Sequence, residues 1–329
     1  MASSLSSPLN LFGVLSESKR IINAHTRHFL ALSVLFLLPL SFLITVYPTL
    51  LQTLSNSKRN PALTLRFSTY QQQKPYDYLT LSLIYISVIL ILSLCATGAI
   101  SYSVFHGFFG RPVRLLSALK SILYSFIPLL VTVICFQGIV FAVVGVFGVL
   151  FWLLNKGFEL LGFEIGYGDP LYVALITFGV CVLVLILIHL QIIWGLAGVV
   201  VVVESSWGFG PLRRSANLVK GMRRVSLNML LFFGFFIGVL VWSTSASAVR
   251  IEGANGWSSW VFVVQIVVTS SLMTSLFLHN LAANTVMYMY CKAVNGELAW
   301  EIAEEFAREY VSLPFDEEKV PHVVSVAQV

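Results

Sequence analysis

Seven polar side chains lie inside segments that are otherwise apolar, and their types could do chemistry. His189 is the least expected of them, because it sits in the run LILIHLQIIW. An imidazole inside a membrane can form part of a substrate site or of a proton path. The more common role is a hydrogen bond between helices, worth about 0.6–2 kcal/mol. The candidate intramembrane polar cluster comprises Gln137, His189, Gln191, Gln265, His279, Asn280 and Asn284.

The surroundings decide where these side chains should point. Lipid offers no hydrogen-bond partner, so we expect His189 to face into the helix bundle, with Gln137 or Gln265 as its partner. Asn280 and Asn284 are spaced i, i+4 and therefore share one helix face. The pattern predicts either packed polar contacts between helices or a polar cavity near His189.

The sequence contains none of the motifs that usually carry catalysis. A glycine-rich phosphate loop, a His-Glu-x-x-His pair and a nucleophile elbow are all missing. No Asp or Glu falls in the middle of an apolar segment, which argues against an ion-coupled transporter. We therefore predict no catalytic residue, no metal site and no cofactor.

The elements that must position these residues are six long apolar segments. Hydrophobic residues make up 57% of the 329 residues and charged residues only 11%. Each segment exceeds the roughly 20 residues that span a ~30 Å hydrocarbon core. The sequence therefore predicts an all-α, multi-pass membrane protein with six transmembrane helices. The segments are 29–51, 78–103, 122–154, 170–203, 227–249 and 258–291.

Three of these segments are longer than a bilayer requires. A straight helix of such length measures about 50 Å at 1.5 Å per residue. The segments 122–154, 170–203 and 258–291 must therefore tilt, break or project into the cytosol. Residue types that favour a break are found at Pro128, Gly138, Gly195 and Gly198.

A basic stretch with helical periodicity precedes the first, third and fifth segments. Aligned without gaps, the stretches that begin at Gly13 and Gly210 match at several positions, among them Ser18 with Ser215. The middle stretch, from Gly110, matches only in pattern. One interpretation is three repeats, each an interfacial helix followed by two transmembrane helices. The alternative is that any loop between such segments is basic and ends apolar.

The chain is accordingly predicted to divide into four parts. After Gly296 the character changes, since glutamates alternate with apolar residues at helical spacing. The parts are a disordered N-terminus (1–8), a six-span membrane domain (9–295, with repeats at about 9–104, 105–204 and 205–295), an acidic amphipathic cytosolic helix (296–313) and a disordered tail (314–329).

Most basic residues lie beside the apolar segments. A basic helix face opposite an apolar one is typical of a helix in the headgroup plane, where Lys and Arg meet anionic lipid. We predict membrane lipids, anionic headgroups and protein partners as binding partners, and no nucleic acid. The residues predicted to face lipid headgroups are Lys19, Arg20, Arg27, Arg111, Arg114, Lys120, Arg213, Arg214, Lys220, Arg223 and Arg224.

The distribution of positive charge also predicts orientation. With the N-terminus in the cytosol, 14 of the 20 Lys and Arg fall on the cytosolic side. Cytosolic loops carry an excess of Lys and Arg, so both termini are predicted to be cytoplasmic. The first outer loop opposes this bias with four positive residues of its own. The membrane is predicted to be an endomembrane or the plasma membrane.

Two stretches carry a family resemblance: VVVESSWGFGPLRRSANLVKGMRR (201–224) and MYMYCKAVNGE (287–297). They resemble plant multi-span membrane proteins of uncharacterised function, with a Glu that ends the fourth span (Glu204) and a Ser-x-x-Leu-x-Lys-Gly segment (215–221) after it. More distantly, the plan resembles bacterial six-span inner-membrane proteins and the membrane domain of some glycerophosphodiester phosphodiesterases. The resemblance implies a six-span membrane protein and no activity, because the soluble phosphodiesterase domain is missing from this sequence.

Together these patterns predict a non-catalytic membrane protein that acts through its membrane-embedded surface as a lipid- or protein-interacting scaffold. The alternative is a carrier for a lipid or a small apolar molecule, with a polar cavity near His189. A carrier needs an accessible cavity lined by polar groups, whereas a scaffold needs a packed bundle.

Overall fold

The computed structural model describes residues 10–59, 76–111, 113–160, 170–250, 260–300 and 302–303, and these form helices and no strand. A π-helical turn (Ser33–Leu37) joins the second helix to the third, and a 3₁₀ turn (Val219–Gly221) follows the eighth. The helices are α1 (Leu11–Ala24), α2 (Thr26–Leu32), α3 (Leu38–Arg59), α4 (Tyr76–Phe108), α5 (Leu115–Leu160), α6 (Pro170–Trp194), α7 (Ala197–Glu204), α8 (Phe209–Leu218), α9 (Arg223–Arg250) and α10 (Trp260–Val294).

In the described part of the chain, six helical stretches are long and apolar enough to cross a membrane, which confirms the predicted six-span, all-α fold. Helices satisfy every backbone hydrogen bond internally, and this makes them suited to a solvent that offers none. The spans are Thr26–Leu51, Thr80–Phe108, Leu115–Gly157, Tyr172–Glu204, Arg223–Ala246 and Trp260–Val294.

The C-terminal half of α10 forms the centre of the bundle. Helices α1, α3, α4 and α9 all pack against α10. Ala282, Ala283, Val286 and Met287 of α10 are fully buried in this contact. Small residues let the helix backbones approach closely, and close packing drives association where no hydrophobic force acts between helices.

The long segments are accommodated in two different ways. In the fourth span, α6 ends at Trp194 and α7 begins at Ala197, which confirms the predicted break at Gly195. Helix α5 runs unbroken and α7 contains Gly198, so the predicted breaks at Pro128, Gly138 and Gly198 are wrong; α10 is unbroken as well. A transmembrane helix tolerates a proline because neighbouring groups and small local adjustments satisfy the freed backbone groups.

The two outer copies of the predicted repeat have similar geometry. The helix before the first span breaks at His25 (φ −126°, ψ 41°), and the helix before the fifth breaks at Met222 (φ −129°, ψ 26°). His25 and Met222 occupy the same position when the two stretches are aligned without gaps from Gly13 and Gly210. The aligned pairs Ser18 and Ser215, Ile21 and Leu218, and Ile22 and Val219 are all buried. This agreement supports the outer copies, while the threefold repeat stays a prediction.

The middle copy has no helix of its own. Helix α5 begins at Leu115 and continues into the third span without a break. The expected separate interfacial helix before this span is therefore not formed, and Lys120 lies on the first turns of the span itself. Gly110 (φ +71°) ends α4 with a bond from its N–H to the carbonyl of Gly107 and one from the Arg111 N–H to the carbonyl of His106.

The predicted terminal segments lie almost wholly outside the described residues. Residues 1–9 and 304–329, which include both segments predicted to be disordered, are among those not described. Of the predicted acidic helix (296–313), Gly296 lies in a turn, and the other described residues, 297–300 and 302–303, are helical.

Candidate functional site

The structure does not bring the seven predicted polar residues together. Gln137, His189 and Gln191 are exposed on the outer spans α5 and α6. The four remaining residues lie along α10, and each of them is half-buried: Gln265, His279, Asn280 and Asn284.

His189 does not point into the bundle, which corrects the expectation from sequence. The face of α6 that lies toward α9 carries Val184, Ile188 and Gln191, spaced by three or four residues. His189 projects from the opposite side of the same helix, together with the exposed Leu185. Helix α6 is apolar all the way round, so its sequence pattern does not define which face is inward.

The polar groups of α10 are satisfied mainly within the helix. The Asn284 Nδ2 donates to Asn280 Oδ1 at 3.1 Å, as their shared face predicts, and His279 Nδ1 bonds to the carbonyl of Ser275 at 2.8 Å. Between helices, α10 forms a hydrogen bond through two small hydroxyls, Ser41 of α3 and Thr274 of α10, at 2.6 Å.

A charged network forms instead where the fourth span ends. The Nε of Arg214, on α8, is 3.2 Å from both carboxylate oxygens of Glu204, the last residue of α7. The two terminal nitrogens of Arg214 donate to the carboxylate of Glu297, one of them at 3.0 Å. One guanidinium therefore joins two carboxylates that lie far apart in sequence, and its fork geometry suits this role.

Two side chains of α10 complete this network. The Tyr288 hydroxyl donates to Glu204 Oε1 at 2.8 Å, and the Lys292 Nζ lies 4.0 Å from the same oxygen. Lys292 is only 3% exposed, and its Nζ is 5.4 Å from the centroid of the Tyr288 ring. Tyr288 and Lys292 are four residues apart and so reach Glu204 from one face of α10.

The local chain path brings these groups together. Ser205, directly after Glu204, adopts a left-handed conformation (φ 52°) that ends α7 and turns the chain toward α8. After α10, Gly296 (φ +75°) reverses the chain so that Glu297 returns toward Arg214. Two turns in the left-handed region therefore position the two carboxylates.

The charges in the network balance, with Glu204 and Glu297 against Arg214 and Lys292. Hydrogen bonding to Glu297, together with the negative charge of Glu204, raises the pKa of Arg214 above its ordinary value despite partial burial. The guanidinium is thus firmly charged. We name this set of Glu204, Arg214, Tyr288, Lys292 and Glu297 the ion network.

The prediction that Arg214 faces lipid headgroups is wrong, because its guanidinium is held by two carboxylates. The other ten predicted headgroup-facing residues have exposed side chains: Lys19, Arg20, Arg27, Arg111, Arg114, Lys120, Arg213, Lys220, Arg223 and Arg224. The network residues were missed as a site, although all five fall inside the two stretches that carry the family resemblance.

The network is suited to holding helices together. It has no nucleophile beside a base, and its donors and acceptors satisfy one another. Within the described part of the chain, no group of three or more His, Cys, Asp or Glu could hold a metal ion.

The fold is that of a six-span helical membrane protein. Its ion network ties Glu204, Arg214 and Glu297 to the central helix α10. The chain belongs to the DUF8558 family, a domain of unknown function, whose model matches residues 6–314. No curated protein matches the chain, and no solved structure does. The resemblance to plant and bacterial six-span proteins and to phosphodiesterase membrane domains stays a prediction.

Replacement of Arg214 by alanine should destabilise the protein by about 1–2 kcal/mol. The substitution leaves the carboxylates of Glu204 and Glu297 without their shared donor. All three side chains are partly exposed, which limits the loss of unfolding free energy. The free energy of unfolding in mixed detergent micelles measures this.

The matched control is Arg213→Ala, which removes the same charge from an exposed neighbouring side chain. It should change the unfolding free energy by less than about 0.5 kcal/mol. Equal effects of the two alanine substitutions would show that Arg214 has no structural role.

Proposed function

We propose that the protein is a non-catalytic membrane scaffold that acts on lipids or protein partners through its membrane-embedded surface. The observation that carries this proposal is the unequal packing of the spans. In the most apolar window of each span, 39% of residues are buried in the first and 33% in the sixth, but 11% in the third and none in the fourth. Helices α5 and α6 of these two spans thus lie mostly outside the packed core, whereas α7, which ends the fourth span, contributes Val199 and Val200 to it.

The outer faces of these two spans offer a broad apolar surface. Phe141 and Trp152 of α5 and Phe178 of α6 are among their exposed aromatic side chains. In a membrane such a surface contacts acyl chains or the helix of another protein. The surface carries no catalytic constellation, which favours binding as its role.

The same proposal includes the orientation of the chain. With both termini in the cytosol, the exposed Lys and Arg of α1, α8 and the turn before α9 lie at the cytosolic headgroups, where anionic lipid is attracted. Helices α1 and α8 each have one buried face and one exposed face, which suits a position in the headgroup plane. An endomembrane or the plasma membrane fits this assignment.

The carrier alternative has one observation in its favour. A lateral groove of about 600 Å³ lies between α6 and α9 and is lined by residues such as Ile188, Gln191, Leu230 and Gly234. Gln191 is the single polar residue of this lining, and His189 lies on the other side of α6. The groove suits an acyl chain, but it differs from the polar cavity that was expected near His189.

Purified protein in reconstituted vesicles separates the two functions. We expect lipid to remain bound through purification, and transbilayer movement of a fluorescent phospholipid to stay at the rate of protein-free vesicles. A carrier would accelerate this movement, and Gly234→Phe, which fills the groove, would abolish the acceleration.

Gly148→Phe is the matched control for that experiment, because Gly148 faces open space on the exposed part of α5. Lipid movement that is blocked by Gly234→Phe and kept by Gly148→Phe would replace the scaffold with the carrier. Protein that retains no lipid would remove lipids from the scaffold proposal and leave only protein partners.

Orientation is tested with cysteines introduced near the two ends of the chain, Ser3→Cys and Val329→Cys. Both should resist a membrane-impermeant thiol reagent on intact cells and react once the membrane is opened, because the bias of positive charge places them in the cytosol. The unsubstituted chain, with its four cysteines, gives the background. Labelling of either introduced cysteine on intact cells would reverse the orientation.

A further inference from the structure

A second feature, separate from the ion network, lies where α8 turns into α9. A cavity of about 860 Å³ opens there between the turn, the start of α1 and the end of α10. We name it the elbow pocket. Its lining includes Lys220, Arg223 and Arg224 from the turn, and Asn10, Phe12 and Val294 from the other two elements.

Among the residues that the structure describes, no carboxylate pairs with the three cations of the elbow pocket. Lys220, Arg223 and Arg224 are exposed, and none of them forms an ion pair with any described residue. This contrasts with Arg214 on the same segment, whose charge is balanced by two carboxylates. Three unbalanced positive charges around one cavity attract an anion.

Two helix N-termini open on the same cavity. Helix α1, of 14 residues, begins at Leu11, and helix α9, of 28 residues, begins at Arg223; both first residues line the pocket. The first N–H groups of a helix have no partner within it, and the helix dipole adds positive potential at that end. Backbone donors and cationic side chains together suit a phosphate group, which accepts several hydrogen bonds at once.

The position of the pocket selects the source of this phosphate. Arg223 is both a lining residue and the first residue of the fifth span, so the pocket lies at the membrane boundary. Phe12 lines the same pocket and is 79% exposed, which places an apolar ring beside the cations. A ligand with a phosphate and an adjoining acyl chain satisfies both features, whereas a soluble phosphate uses only the first.

We propose that the elbow pocket binds the phosphate headgroup of an anionic membrane phospholipid. The proposal rests on the proposed function, since it names one lipid class and one site for a surface that acts on lipids. A phosphomonoester headgroup fits best, because its charge of about −1.5 to −2 at pH 7 gives it the stronger attraction to the three cations. The pocket selects anionic over zwitterionic lipid.

Binding of short-chain dioctanoyl lipids to the full-length protein in detergent micelles tests the proposal. Dioctanoyl phosphatidic acid should bind, and dioctanoyl phosphatidylcholine and inorganic phosphate should bind far more weakly. The triple substitution Lys220→Gln, Arg223→Gln, Arg224→Gln should weaken binding of phosphatidic acid by at least about tenfold. The single variant Arg224→Gln, made in parallel, should show part of this loss if the triple variant misfolds.

The matched control is Lys19→Gln, Arg27→Gln, Lys120→Gln, which removes the same charge from exposed positions outside the pocket. It should weaken binding by less than about threefold, because screening limits the effect of distant charges. Equal losses in the two triple variants would overturn the elbow pocket and leave general lipid contact standing. Inorganic phosphate that competes at the concentration of the lipid would overturn the assignment to a lipid. If neither the unsubstituted protein nor any variant bound either lipid, the part of the proposed function that concerns lipids would be contradicted too.

Discussion

A lysine buried at the end of the central helix needs an anion beside it, and this requirement organises one end of the molecule. Lys292 of α10 is almost fully buried, and Glu204 supplies the nearby negative charge. Glu204 also accepts from Tyr288 and pairs with Arg214, which in turn holds Glu297. The end of α7, the whole of α8 and the chain after α10 are therefore tied to the central helix by one set of charges.

This constraint explains why the helices near the ion network pack more tightly than the outer helices α5 and α6. Helices α1, α3, α4 and α9 pack around α10, and the turn into α9 runs so close to α10 that a Cβ built on Gly221 would lie 3.4 Å from Cγ1 of Val294. Helices α5 and α6 contribute no charge to the network and expose most of their surface. The ion network fixes the charged end of the protein, and the elbow pocket lies beside that end. The two outer helices expose apolar surface to lipid. Both features suit the proposed binding of membrane components.

The sequence predicted the fold well and the site poorly, for a physical reason. Apolar length alone defines a membrane span, so all six spans could be read from residue types. The position of the break could not, because of the four candidate residues only Gly195 lies at one. The inward face of a span could not, because α6 is apolar on every side and nothing in its pattern directs His189 inward or outward. The ion network joins residues from both stretches that carry the family resemblance. Only the tertiary structure shows that Glu204, Arg214 and Glu297 meet.

The most direct test of this account is a double-mutant cycle on Arg214 and Glu297. The unfolding free energies of Arg214→Ala, Glu297→Ala and the double variant in detergent micelles give the coupling energy between the two side chains. The account predicts a favourable coupling of about 1 kcal/mol or more, since the pair is charge-assisted and half-buried. Additive effects, with a coupling of zero within error, would contradict the claim that this network holds the charged end of the protein together.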